Sequence, residues 1–320
     1  MHAAPGLAGR SVLGSIQAVL VSFNSGPEVL RLCDAVLAEA DGLVIVDNGS
    51  SPALLATLRD FVATHGPRAQ LIANPENLGL AAAQNQGIEA AFGKRADWVL
   101  LLDHDSLPRP GLVAAFARAL ASAPDADRVA LLAAAIHQPP EAGETRYWTM
   151  RGKWRVERRR LGADVEENAI FAIASGSLIR SAALRSVGTM REDFFIDYVD
   201  VEFGLRLKAA GWKILVVPGA LLEHRLGNPS RHRAGGKSFK ATNHDAARRF
   251  TIFRNRARLW RSYLRTRPGW VLADLAAAAA DVLRILCFED RKRAKLERAA
   301  VGLWRGLTAP PLAGRAPPQP

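Results

Sequence analysis

The chain has 320 residues, 49% hydrophobic and 23% charged, which fits one large globular domain with an appendage, or two modest domains. Two cysteines, Cys33 and Cys287, are too few for a disulfide framework or a cysteine metal site, and they fit a reducing cytosol. The net charge of +12 is segregated: thirteen Lys or Arg and the single acid Asp245 lie between Arg225 and Arg267, so the rest of the chain is neutral.

Residues 1–15 lack the basic start and apolar core of a signal peptide and read as a disordered leader. Ile16 to Phe23 is a strand pattern, followed by an amphipathic helix to about Ala40. Gly42 to Val46 is a second apolar run ending in Asp47, Asn48, Gly49 and Ser50, and Ala69 to Ala73 is a third. The loop Asn74 to Gly79, with Asn77 in it, opens a small-residue helix from Leu80 to Phe92 that carries Asn85. Trp98 to Leu102 then reads as a buried parallel strand ending in Asp103, His104 and Asp105. In extended backbone Asp103 and Asp105 project to one side and His104 points away, so the two acids can converge on a cation carrying phosphates. The bland reading is that they are solvated loop residues, one of them a helix cap.

Alternating strands and helices make this half a doubly wound parallel sheet. Such sheets bind ligands at the C-terminal strand ends, so Asp47, Asn74 to Gly79, and Asp103 to Asp105 should share one crevice. No G-x-G-x-x-G follows the first strand and no G-x-x-x-x-G-K-S/T occurs, which argues against a dinucleotide dehydrogenase and a phosphate-loop nucleotidase.

Val129 to Ala135 is another strand pattern, and Arg146 to Arg160 is a basic stretch, either a hairpin or a surface ribbon. Phe171 to Ser175 leads as a strand into Gly176 and Ser177. Val199 to Ala210 has helical spacing with Asp200 and Glu202 in its first turn, where the helix dipole favours carboxylates whether or not they do chemistry. Asp197, Asp200 and Glu202 stand among Phe194, Phe195, Tyr198 and Phe203, and apolar surroundings tune the basicity of a carboxylate. Trp212 to Val217 is the last core strand. His224 beyond it is either a metal ligand or a surface histidine, and Arg231 to Lys240 reads as a polar lid. Three helices follow: Asp245 to Leu264, Trp270 to Phe288, and Arg291 to about Leu307. The second is too interrupted by Asp274, Asp281 and Arg284 to cross a membrane, and 309–320 reads as a disordered tail.

The ordered motifs Val44-Ile45-Val46-Asp47-Asn48-Gly49-Ser50, Asn74-x-x-Asn77-x-Gly79, Asp103-x-Asp105, Gly176-Ser177, Asp200-x-Glu202 and His224-x-x-Gly227 resemble glycosyltransferase family 2 over residues 16–265. These are inverting enzymes of the GT-A fold. Within the family the chain most resembles bacterial rhamnosyltransferases of cell-surface glycans, and Arg254-Asn255 resembles that subgroup's Arg-Asn pair. Galactofuranosyl and other sugar transferases share the scaffold.

The resemblance implies an α/β, mostly parallel GT-A sheet flanked by helices over 16–240. A nucleotide-binding half would span 16–135 and an acceptor half 136–240, with a C-terminal helical extension over 241–308. Asp47, Asn74, Asn77, Gly79, Asn85 and Asp103 would bind the donor, and Gly79 would remove a side chain that blocks the nucleotide. Asp105, His224 and, in the metal shell, Asp103 would hold Mg²⁺ or Mn²⁺. Gly176, Ser177 and Asp197 would meet the acceptor. Asp200 matches the general base. Val199 replaces the usual acid before it, which leaves Asp197 able to share the role, while Glu202 would position the base or bind acceptor.

The implied donor is dTDP-L-rhamnose, with UDP-galactofuranose or another UDP-sugar as the alternative. The acceptor would be a lipid-linked or growing glycan. The basic block and terminal helices would dock on an anionic membrane surface, placing the enzyme on the inner face of the cytoplasmic membrane, and those helices could also join copies of the chain. A nucleic-acid-binding reading of Arg248 to Arg267 is disfavoured, because its interleaved aromatic residues have the spacing of core contacts.

Overall fold

The computed structural model describes residues 12–137, 146–224, 230–234, 237–241 and 243–312, with the backbone alone for 224–241. Its first half is built from apolar runs that bury both faces. Strands β1 (Ile16–Ser22) and β2 (Gly42–Asn48) are buried at every position, as only central parallel strands can be. With β3 (Ala69–Asn74) and β4 (Trp98–Asp103) they pair in parallel in the order β3-β2-β1-β4.

Between them run α1 (Val29–Glu39), α2 (Pro52–His65) and α3 (Leu80–Gly93). Helix α1 buries Val29, Leu32, Cys33, Val36 and Leu37, a stripe one face wide. Helix α2 starts at Ser51, whose side chain accepts from the Leu54 N–H, with Pro52 in the first turn where its missing N–H costs nothing.

The sheet continues through β5 (Ser106–Pro108), β6 (Val129–His137), β9 (Ser177–Arg180) and β10 (Lys213–His224), giving the order β3-β2-β1-β4-β9-β6-β10-β5. Period-two alternation sorts its side chains into two cores. Val19, Val21, Val44, Val46, Val99 and Leu101 face α3, α5 (Ser181–Val187) and α6 (Val199–Ala209). Ala18, Leu20, Leu43, Ile45, Leu100 and Leu102 face α1, α2 and α4 (Leu112–Ser122).

The hairpin of β7 (Arg146–Arg151) and β8 (Arg155–Arg160) stands apart from this sheet, and so does the hairpin of β11 (Ser230–Ala234) and β12 (Lys237–Ala241). The second hairpin occupies the stretch read as a lid, and its side chains lie outside the described residues.

Three boundaries differ from the sequence reading. Leu13 is buried and Ser15 donates its backbone N–H to Asp97 Oδ2 at 2.8 Å, so packing begins inside the predicted leader. Phe171 to Ser175 is not a strand. Gly176 turns the chain at φ +76° and β9 starts after it, antiparallel to both β4 and β6. Strand β10 does not stop at Val217: a register shift between Val217 and Leu221, around Pro218 and Gly219, carries it on to pair with β5.

The C-terminal helices α7 (Ala246–Tyr263), α8 (Pro268–Phe288) and α9 (Lys292–Thr308) pack on the same molecule. Gly302 and Gly306 of α9 abut α7 so closely that a Cβ at either would collide with the carbonyl oxygens of Phe250 and Arg254. Leu259, Trp270 and Val271 join the core on the α3 face of the sheet.

Candidate functional site

The strand register sets the cleft. Val21 of β1 pairs with Val46 on one side and Asp103 on the other, so Asp47 and Asp103 leave the sheet within one residue of the same level. Above this rim lies a cleft of about 620 Å³ whose lining includes Asn48, Asn77, Gln84, Asp103, His104, Asp105 and Asp200.

Asp47 is buried at the end of β2. Its Oδ2 accepts from the Ser50 N–H at 3.0 Å, and its Oδ1 has no hydrogen-bond partner among the described residues. Such an orphaned acceptor is costly unless something donates to it. Beside it Asn48 organises the loop: its Nδ2 donates to Asn77 Oδ1 at 2.9 Å and its Oδ1 accepts from Asn74 Nδ2 at 3.1 Å.

Three acids reach this space from two halves of the chain. Asp103 is pushed up to about 7, first by its burial, then by the Asp105 and Asp200 carboxylates. Asp200, in the first turn of α6, is raised to about 6 by burial, partly offset by the Val201 N–H that donates to its Oδ1 and reinforced by Asp197. Mutual repulsion among acids in one cleft is what a bound cation relieves.

Among the described residues no group of three or more His, Cys, Asp or Glu could hold a metal by itself. Two carboxylates completed by substrate phosphates suit Mg²⁺ or Mn²⁺, whereas a dedicated protein cage would need more ligands. Asp103 and Asp105 fit such an ion on that basis. His224 pairs through its backbone with Ser106, next to Asp105, and its side chain lies outside the described residues.

Residues 18–188, more than half of the chain, match the family described as "Glycosyl transferase family 2". The chain belongs to glycosyl transferase family 2. This glycosyltransferase is 27% identical over 249 residues to dTDP-rhamnosyl transferase RfbF of Shigella flexneri, covering 75% of this chain and 78% of that one. It is 26% identical over 312 residues to an N-acetylglucosaminyl-diphospho-decaprenol L-rhamnosyltransferase of Mycobacterium tuberculosis, covering 87% and 96%. Its fold matches the crystal structure of GalNAc-T7 with UDP, GalNAc and Mn²⁺ at a TM-score of 0.61 and 16% identity, covering 90% of this chain and 55% of that one.

Several residues of the glycosyltransferase that the sequence assigned to ligands serve the scaffold. Asn85 is buried, donating from Nδ2 to the Met190 carbonyl and to Glu192 and accepting from the Met190 N–H, so its polar groups are taken up by the segment before α6. Asn74 exchanges hydrogen bonds with Gln86 as well as Asn48 and braces the loop from behind. Gly79 packs against the Phe195 ring, which a Cβ at this position would meet.

Gly176 and Ser177 are enclosed by the sheet, where the Ser177 hydroxyl donates to the Ile173 carbonyl and a Cβ at 176 would press on Leu222 and Ala134. They do not face the cleft, and Ile173 and Ala174 line it instead. Glu202 is 2% exposed and grips Arg206, whose guanidinium donates to the carbonyls of Val187, Gly188 and Thr189. It fixes α6 and does not touch the cleft. His104, expected to point away, lines the cleft because strand geometry ends at Asp103 and the chain turns.

The acidic loop before α6 is strained and braced. Phe195 has φ +64° and ψ −65°, and the Ile196 N–H closes a three-residue γ-turn onto the Phe194 carbonyl at 2.7 Å. Asp197 and Tyr198 follow at φ +61° and +65°. Non-glycine residues held in such regions cost on the order of 1–3 kcal/mol each and persist only where surroundings enforce them.

Helix α7 supplies the enforcement. Arg248 forks onto both Asp197 oxygens at 2.8 and 2.9 Å, and Arg258 pairs with Asp193 at 2.6 Å. Arg256 bonds the Tyr198 hydroxyl and pairs with Asp281, and the hydroxyl also donates to Asp274 at 2.7 Å. Arg254 and Asn255 take the backbone carbonyls. The basic block was expected to face a membrane, yet these α7 arginines turn inward to satisfy acids and carbonyls. Arg248 thus engages both oxygens of Asp197, whereas Asp200 faces the cleft with the Val201 N–H on its Oδ1.

Proposed function

We propose that this glycosyltransferase is metal-dependent and inverting, and that it moves L-rhamnose from dTDP-L-rhamnose onto a hydroxyl of a lipid-linked or growing cell-surface glycan. The observation that carries the reading is the meeting of Asp103, Asp105 and Asp200 in one cleft, together with an Asp47 Oδ1 at the end of β2 that has no partner among the described residues. The names of the two rhamnosyltransferase relatives support the sugar and, for the mycobacterial one, a polyprenyl-diphosphate acceptor.

In this reading Asp47 accepts from the ring N–H of the pyrimidine, Asn77 borders the nucleotide, and Asp103 contacts the ribose or the cation. Asp105, with Asp103 and the donor's own phosphates, would hold Mg²⁺ or Mn²⁺, and the ion would supply positive charge to the departing diphosphate. Asp200 takes the proton of the acceptor hydroxyl as its oxygen forms the bond to the anomeric carbon opposite the breaking bond to diphosphate, which inverts that carbon. Asp197, tethered by Arg248 at the cleft wall, borders the acceptor.

The membrane partner is retained but relocated. The outward face of α8 presents Leu272, Leu275, Leu283 and Leu286 at 40–61% exposure, and α9 adds Trp304 at 67%, with Arg298 and Arg305 also exposed. An apolar helix face, with exposed bases and an interfacial Trp on the next helix, suits the surface of an anionic bilayer, the inner leaflet of the cytoplasmic membrane. No described helix is long and apolar enough to cross a membrane.

The test is a donor panel with Mn²⁺ and a lipid-linked acceptor. dTDP-L-rhamnose should release nucleoside diphosphate and yield product of inverted configuration. Release from a UDP-sugar alone would shift the assignment to that donor.

A further inference from the structure

We infer that Asn255, oriented by Arg254, is a positioning residue that sets the backbone of the loop 193–198 and through it the placement of Asp200. The inference rests on the reading of Asp200 as the base. Asn255 is fully buried, and its Nδ2 donates to three loop carbonyls, those of Phe194 at 3.0 Å, Ile196 at 3.2 Å and Asp197 at 2.9 Å. Its Oδ1 accepts from Arg254 Nε and Nη2 at 3.1 and 3.0 Å.

These neighbours leave one orientation of the amide. Carbonyls can only accept and a guanidinium can only donate, so the nitrogen must face the loop and the oxygen must face Arg254. Arg254 Nη2 also donates to the carbonyls of Asp193 and Phe194, so the pair grips the γ-turn from both sides.

Position makes this a catalytic matter as well as a structural one. Phe195 to Asp200 all line the cleft, while Asn255 stands behind the loop and is not part of the lining. The three carbonyls it gathers come from the stretch containing the left-handed residues Phe195, Asp197 and Tyr198, and Asp200 follows Tyr198 by two residues. Relaxation of that stretch would swing the first turn of α6, and a base displaced by about 1 Å can lose roughly a hundredfold in rate. The donor side of the cleft rests on β1, β2 and β4, and the hydrogen bonds of Asn255 go instead to Arg254 and to loop carbonyls, so nucleotide binding should be spared.

Asn255→Asp keeps the shape and sets a carboxylate against three carbonyls. The expected result is a folded protein that binds dTDP and UDP within about twofold of the native affinity while kcat falls roughly tenfold to a hundredfold. Arg254→Lys, at a half-buried position, should lower kcat in the same way and serves where the first variant does not fold. Hydrogen exchange reads the clamp without any activity: the amides of 193–198 should exchange faster in either variant, with β1 and β4 unchanged.

Native kcat in a folded variant, native exchange across 193–198, or loss of nucleotide affinity in step with kcat would each overturn the inference. Failure of the native enzyme with every donor would remove the reading of Asp200 as base. The exchange result would then judge the clamp alone.

Discussion

Asp200 has the setting a general base needs at neutral pH: partly withdrawn from water, anchored through Oδ1, and open to the cleft. Its pKa of about 6 lies above the usual carboxylate range, so the active, ionised form is gained as pH rises. The transfer rate should climb through about pH 6 and level off above it, and Asp200→Asn should lose roughly a hundredfold or more in kcat while keeping nucleotide affinity. A variant with near-native turnover would move the base to another residue.

Asp103 makes a second prediction, in stability. Its pKa is raised to about 7, so the stability it contributes is complete below the ordinary carboxylate range and is lost as pH rises through about 7. Without divalent cations, the thermal midpoint of the native protein should drop more between about pH 5 and pH 8 than that of Asp103→Asn, and Mn²⁺ should restore it. Equal drops in the two proteins would show that Asp103 carries no such strain.

These acids were legible because each closes an apolar run or opens a helix, where pattern alone brings it to a rim. Gln84, Arg248 and His244 were not. They line the same cleft from a helix interior and from beyond the sheet, and only tertiary packing turns them inward. Gln84 is 2% exposed, with an Oε1 that has no partner among the described residues, and nothing in its spacing distinguishes it from a neighbour such as Gln86.

Among the elements, α9 depends on having no side chain where it crosses α7. A Gly302→Ala change gains about 1 kcal/mol of helix propensity but drives a Cβ into the Phe250 carbonyl, a rigid obstacle, and overpacking costs about 1–3 kcal/mol. The clash should win: urea midpoints should fall for Gly302→Ala, and a stabilised variant would mean that the helices can part freely. The same crossing shows what periodicity reveals. The existence and extent of the C-terminal helices followed from their apolar spacing, whereas the direction of their charge did not. Arg248, Arg256 and Arg258 look like solvent arginines until Asp197, Tyr198 and Asp193 arrive from dozens of residues away. The strand misplaced at 171–175 failed for a related reason. It is apolar enough for a strand, but Gly176 turns the chain and the ladder to β4 and β6 runs from Ser177 onward.

On the scale of the molecule, Leu259, Trp270 and Val271 tie the C-terminal helices into the core on the α3 face of the sheet, and α8 turns a leucine face outward. Leu275→Glu with Leu283→Glu should reduce sedimentation with anionic vesicles at least roughly tenfold, because each change places a charge where acyl chains would lie. High salt should weaken the native association only in part, since Arg248, Arg254, Arg256 and Arg258 of α7 are engaged by acids and carbonyls of the same molecule. Complete release by salt would return the contact to electrostatics alone.

The inward grip of α7 also limits how such enzymes can be recombined. Asp193, Asp197 and the carbonyls between them answer to Arg248, Arg254, Asn255 and Arg258 as a lock answers to its key. A chimera that takes its sheet from one homologue and its terminal helices from another should transfer sugar only when residues 193–198 travel with the helices. In heredity as in engineering, the loop before α6 and the far end of the chain form a single module, although Asp197 and Arg248 stand 51 residues apart.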